Sequence, residues 1–176
     1  MNKQYITGYG QISNLGLNVG QALSKLQSPS ESDTLRLPKN HLDGKDFFDH
    51  SMEIDDLKSI ENPPDYELYR ENKVSILCVN EALNTAKIDL EWLKGQRVGV
   101  CVGTTSANLT CSLDFAKKYY RQETLDFTPL KESQLNNPAS NISKYYSLNG
   151  PIISVNNACT SGTDAIGIAN SWIKQD

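Results

Sequence analysis

Histidine is scarce in this chain: only His41 and His50 occur among its 176 residues. Charge of one sign is missing too. Lys and Arg number 17 against 21 Asp and Glu, net −4, which leaves no basic footprint for nucleic acid. No apolar run approaches the ~20 residues that span a bilayer, and the opening M-N-K-Q-Y-I-T-G lacks the apolar core of a signal peptide. A cytoplasmic chain with no membrane and no nucleic-acid partner is therefore expected. The four cysteines (Cys78, Cys101, Cys111, Cys159) have no metal-ligand spacing, and a chain of this length has no need of a disulfide framework. Free thiols and no metal site are expected. Two nucleotide motifs begin and then fail. Gly8 and Gly10 open a G-x-G-x-x-G run whose third glycine is replaced by Ser13, and R-V-G-V-C-V-G-T-T-S-A-N has no later Gly-Lys pair. No cofactor is expected.

The positive signal lies in residues 152–176. Gly150 and Pro151 lead into Ile152, Ile153, Ser154 and Val155, a short β-branched run of the kind that forms a buried strand. Beyond it Ala165, Ile166, Ile168, Ala169, Trp172 and Ile173 recur at helical spacing, which predicts a helix over 160–174. Cys159 falls on the corner between strand and helix. The first amides of a helix have no internal partner and carry a positive partial charge, so a thiolate is stabilised there. Ser161 and Gly162 keep the first turn small and leave room for a substrate carbonyl, the logic of a nucleophile elbow with sulfur in place of oxygen. A free cysteine also serves as a small buried hydrophobe, and spacing alone leaves both readings open.

Around that stretch the chain alternates. Residues 5–13 read as a short strand, 19–26 as a helix, and 27–72 as a polar, Pro- and Gly-broken excursion with one short helix near 54–60. His41 and His50 lie in the excursion and read as solvated loop residues; adjacent Asp55 and Asp56 read as solvated surface. Over 70–87 the stripe Val74, Leu77, Cys78, Ala82 and Ala86 is widened by Ile76, Val79 and Leu83, which predicts a helix buried on more than one side. Residues 97–103 form a near-continuous apolar run, as a buried parallel strand requires. A helix over 109–121 is expected to turn Leu109, Leu113, Phe115, Ala116 and Tyr120 inward. Its Lys117, Lys118 and Arg121 form a basic patch, read as a solvated face and, as the other possibility, as a contact for an acidic partner. A further helix spans 137–146. Alternating strands and helices in a chain of single-domain length indicate an α/β layered fold.

The string Ala158, Cys159, Thr160, Ser161, Gly162, preceded by G-P-I-I-S-V and followed by an Ala/Ile/Gly-rich helix, resembles the active-site signature of the β-ketoacyl-acyl carrier protein synthases. The opening T-G-Y-G with its following L-G resembles the first strand of the same family. The resemblance implies the N-terminal half of the layered thiolase-like fold (αβαβα), a mixed sheet flanked by helices, over residues 1–176, with the C-terminal half outside this sequence. It implies acyl transfer to Cys159 followed by decarboxylative Claisen condensation with a malonyl thioester, in fatty acid or polyketide synthesis. The implied partners are an acyl carrier protein, acyl and malonyl thioesters, and the missing C-terminal half or a complementary chain, in a homodimer or heterodimer. In that family two catalytic histidines and one oxyanion donor come from the second half; the Cys159 amide would supply the other donor. Two further readings are a non-catalytic partner like a chain length factor, against which the presence of Cys159 counts, and an acyl-binding half-domain that forms a thioester without condensing. A half-domain of this kind is expected to expose apolar surface.

Overall fold

A computed structural model describes residues 3–13, 15–28, 55–63, 66, 68–106, 109–124, 126–134 and 137–175, the side chains of 55, 56 and 110 apart. His41, His50 and the side chains of Asp55 and Asp56 lie outside the described residues. Two compact units are present, one made of Met1–Ile6, Asn62–Ile76 and Ile88–Asp176, the other of Thr7–Glu61 and Leu77–Lys87.

The first unit is built on two parallel strands, β1 (Val100–Gly103) and β2 (Ile152–Val155), paired Val100 with Ile152 through Gly103 with Val155. Backbone bonds from Val100 N to the Pro151 carbonyl (2.8 Å) and from Gly150 N to the Val98 carbonyl (3.0 Å) extend the pairing upstream, so the apolar run from 97 forms a strand only where a partner lies beside it. Because side chains alternate across a strand, the two faces take different helices. Gly99, Cys101 and Gly103 face α7 (Ser161–Gln175): a Cβ on Gly99 would press on Trp172, one on Gly103 would collide with the Ser161 backbone, and Cys101 meets Ala169. On the other face Ser154 Oγ accepts from Ala139 N (3.3 Å) of α6 (Asn137–Tyr145). The result is a helix-sheet-helix sandwich, the α/β layering expected. Among the described residues the sheet is parallel throughout, and antiparallel pairing is limited to a single bridge between Ser13 and Gly16.

Burial follows this layering. Ile76, Cys111 and Ala139 are fully enclosed, with Val100, Ile142, Tyr146 and Ala165 close to it. Each large apolar side chain so placed contributes about 1.5–3 kcal/mol. The Tyr146 hydroxyl donates to the Ile76 carbonyl (3.1 Å), and burial pushes its pKa well above the ordinary phenol value. Three short or peripheral helices complete the unit: α3 (Leu90–Lys94), capped by Asp89, α4 (Leu109–Tyr120) and α5 (Thr128–Glu132). The last two meet through Phe115 and Phe127, ring centroids 5.5 Å apart.

In the second unit α1 (Val19–Gln27) is capped by Asn18, whose Oδ1 accepts from Gln21 N (2.8 Å). The later part of α2 (Arg70–Ala86), a helix whose first turns belong to the other unit, holds the opening segment. Residues 5–13 are not a strand. Tyr9 N bonds to Thr85 Oγ1 (3.1 Å) and Gln11 N to Glu81 Oε2 (2.8 Å), so these amides are satisfied by helix side chains rather than by a neighbouring strand. Gly8 and Gly10 lie so close to the Ala82 and Cys78 carbonyls that a Cβ at either would overlap them. Those glycines serve close backbone packing. The Glu81 carboxylate also accepts from Val19 N (2.8 Å), tying the start of α1 to the same helix.

Two other expectations are corrected. Of the α2 stripe only Ile76 is fully buried, together with Asn72; Val74, Leu77, Cys78, Ala82 and Ala86 are half-buried. In α4, Leu109, Leu113 and Tyr120 are exposed at 52%, 51% and 83%, while Cys111 is the residue fully inside. Phe115 and Ala116 are half-buried as expected, but the enclosed position is taken by a thiol while Leu109, Leu113 and Tyr120 lie outward. The short helix expected near 54–60 is present, as a 3-10 helix over Asp55–Ser59. Among the described residues no helix is long and apolar enough to cross a membrane.

Candidate active site

The corner after β2 is tighter than a simple strand-to-helix join. Asn156 and Asn157 lead into a 3-10 turn, Ala158–Thr160, and α7 begins at Ser161. Ala158 has φ 47°, the left-handed region that side chains disfavour. The other described non-glycine residues with positive φ, Lys87, Gln122 and Ser147, each stand just past the end of a helix, where such a residue closes the last turn. Ala158 alone among them stands at a helix start, next to Cys159. The turn throws Cys159 outward, and it is exposed, whereas Cys111 is buried and Cys78 and Cys101 are half-buried. Burial raises the pKa of both half-buried thiols above the ordinary value, with the Glu81 carboxylate adding to the effect at Cys78.

Short hydrogen bonds hold the corner. Asn157 N donates to Ser161 Oγ (2.7 Å), and that hydroxyl donates to the Ala158 carbonyl (2.7 Å). Thr160 N and Thr160 Oγ1 both donate to the Asn157 carbonyl, at 3.1 and 2.9 Å. Asp164 Oδ2 accepts from Asn157 Nδ2 (2.7 Å) and shares the single Thr160 hydroxyl proton, at 3.1 Å, with the Asn157 carbonyl. From β1, Thr104 N reaches the Val155 carbonyl (2.9 Å) and Thr105 Oγ1 the Ala158 carbonyl (3.5 Å). Ser161 is buried by this bonding. At Gly162 a Cβ would meet nothing within 4 Å, so this position of the first turn faces open space. An open groove of about 750 Å³ runs from Asn157 and Asp164 along α7 to Ser171 and Trp172; Cys159 is not among its lining residues.

The apolar residues of α7 divide between two environments. Ala165 is buried and Ile168, Ala169 and Trp172 are half-buried, whereas Ile166 and Ile173 are exposed at 65% and 62%. The expected exposure of apolar surface is found on this helix. The basic patch of α4 is partly neutralised, Lys117 by Asp114 (3.5 Å) and Arg121 by Glu123 (3.8 Å). Such exposed pairs contribute little, which agrees with a solvated face. Asn157 and Asp164 were not expected as site residues. The S-G-T-D run after the cysteine has the spacing of a capping box and is the signal that marks Asp164. Nothing in the sequence marks Asn157.

The layered α/β unit with an exposed cysteine on a tight corner after a parallel strand agrees with the thiolase-like fold to which the family and structural comparisons assign the chain. Residues 24–176 match the family profile described as beta-ketoacyl synthase, N-terminal domain, and the chain belongs to that family. Solved structures agree on the fold. The ishigamide ketosynthase/chain length factor superimposes with a TM-score of 0.75 at 16% identity, over 97% of this chain and 43% of that one. A ketosynthase in complex with its chain length factor from Xenorhabdus doucetiae gives 0.69 at 20% identity, again over 97% and 43%. The chain thus spans less than half the length of these relatives. The comparison with curated proteins gives no match.

Proposed function

We propose that this chain is the N-terminal half of a β-ketoacyl-acyl carrier protein synthase and that Cys159 is its acyl-accepting nucleophile. The observation that carries the reading is the exposure of Cys159 on a corner whose backbone is turned through a left-handed residue, within the region that matches the family profile. The Cys159 thiolate attacks the carbonyl carbon of an acyl thioester. The tetrahedral intermediate collapses, the carrier's thiolate leaves and takes up a proton, and the acyl group remains on sulfur. A malonyl thioester then loses carbon dioxide, and the resulting enolate carbon attacks the acyl carbonyl and releases Cys159 as thiolate. We assign to the Cys159 amide one of the donors to the oxyanion of both attacks.

The groups that stabilise the enolate belong to a C-terminal half or a complementary chain, a requirement that fits the chain's 43% coverage of its structural relatives. Because those relatives pair a ketosynthase with a chain length factor, a non-catalytic subunit is the second reading. An exposed Cys159 speaks for the enzyme. The test is composition and turnover: identify every polypeptide in the native particle by denaturing mass spectrometry after size exclusion, then assay condensation of an acyl with a malonyl thioester. A second chain of comparable size and condensation abolished by Cys159→Ser are expected. Condensation retained by Cys159→Ser would overturn the assignment.

A further inference from the structure

We propose that Asp164 is a positioning residue for Cys159, acting through Asn157 and Thr160, which flank the thiol on both sides. The inference rests on the nucleophile role proposed above. Three observations carry it. Asp164 Oδ2 accepts from Asn157 Nδ2 at 2.7 Å and shares the Thr160 hydroxyl proton at 3.1 Å, so one carboxylate oxygen joins the residue two before the cysteine to the residue just after it. Between those anchors stands Ala158 at φ 47°. A non-glycine residue persists in that conformation when its surroundings over-determine it, and the side-chain clasp supplies part of that constraint. Cys159 itself is exposed, so packing within this chain constrains its side chain less than that of the buried Cys111. The backbone of the corner must set its direction.

The Ser161 hydroxyl forms a second clasp, from Asn157 N to the Ala158 carbonyl, but it acts on backbone atoms before the thiol. Only Asp164, among the described residues, bonds side chains on both sides of it. A carboxylate in the first turn of α7 also suits the partial positive charge of the helix start, which offsets the cost of holding an anion beside the site. Losing it frees Asn157 to rotate and lets the corner relax toward ordinary backbone angles. The thiol would remain exposed but would spend less time on the attack trajectory, and loss of such geometry lowers a rate at saturation rather than binding.

The experiment compares wild type, Asp164→Ala, Asp164→Asn and Asn157→Ala in the native particle. Single-turnover transfer from an acyl pantetheine thioester to Cys159 is followed by intact mass across thioester concentrations, with iodoacetamide alkylation as a reference for exposure. Asp164→Ala and Asn157→Ala are expected to lower the limiting acyl-transfer rate about tenfold, the scale of a lost charge-assisted hydrogen bond. The half-saturating thioester concentration and the alkylation rate should change less than about twofold. Asp164→Asn, whose amide oxygen can accept the same two bonds, should recover at least about half of the wild-type rate. An unchanged limiting rate in Asp164→Ala, or an equal fall in acyl transfer and alkylation, would overturn the proposal. If Asp164→Ala fails to fold, Asn157→Ala decides on the same criteria. Wild type that is alkylated at Cys159 but takes no acyl group would instead refute the nucleophile role on which the proposal rests.

Discussion

Two strands of this protein lie side by side and each leads toward a helix with a cysteine close to that helix's first residue, yet the two thiols meet opposite fates. After β1 the chain leaves Gly103, enters α4 at Leu109 and buries Cys111 completely. After β2 it turns within a few residues through Ala158 and exposes Cys159. Residue type and topology are shared, so neither decides the outcome. The difference lies in the join. Cys111 is already inside regular helix and points where the helix packs, whereas Cys159 sits in the 3-10 turn before the helix, aimed by a left-handed residue and a set of short side-chain bonds. A cysteine after a strand acquires chemistry from the turn that presents it.

The widest contrast should appear in reactivity. Under native conditions iodoacetamide should modify Cys159 at least about a hundredfold faster than Cys111, because Cys111 reacts only through local opening of its surroundings. Cys78 and Cys101 should fall between them, half-buried and with thiolates disfavoured by burial. Peptide mapping after timed quenching measures all four, and comparable rates at Cys111 and Cys159 would break the comparison. A smaller effect is expected in stability. Cys111→Leu adds volume to an enclosed position and should cost about 1–3 kcal/mol, while Cys159→Ser at an exposed one should stay within ~0.5 kcal/mol. Denaturant melts of the two variants sharpen the same contrast from the side of packing, and a costly Cys159→Ser would show that this thiol is structural.

The sequence showed the second corner far better than the first. Gly150-Pro151 before a β-branched run and a change of period after it located β2 to the residue and α7 to within one residue at each end. The cysteine's place on the corner followed from those two elements. What was missed depended on contacts between distant residues. The segment 5–13 has strand-like composition, but its amides bond to Thr85 and Glu81 on a helix some 70 positions away, and no local pattern reports that. In α4 apolar size does not report burial, since Leu109 and Leu113 remain exposed while Phe115 is half-buried. Ala158's conformation is also hidden, since alanine in a small-residue string gives no sign of a left-handed turn; it stands among side-chain bonds made by Ser161 and Asp164.

The central claim is that the corner makes Cys159, and not a neighbouring thiol, the acyl acceptor. Its most direct test is to expose the native protein to an acyl pantetheine thioester, digest it and read the acyl mass on each cysteine-bearing peptide. One acyl group per chain on the peptide containing Cys159, with Cys78, Cys101 and Cys111 unmodified, is the result this account predicts. An unmodified Cys159 in folded protein, or acyl groups distributed without preference among the four cysteines, would contradict it.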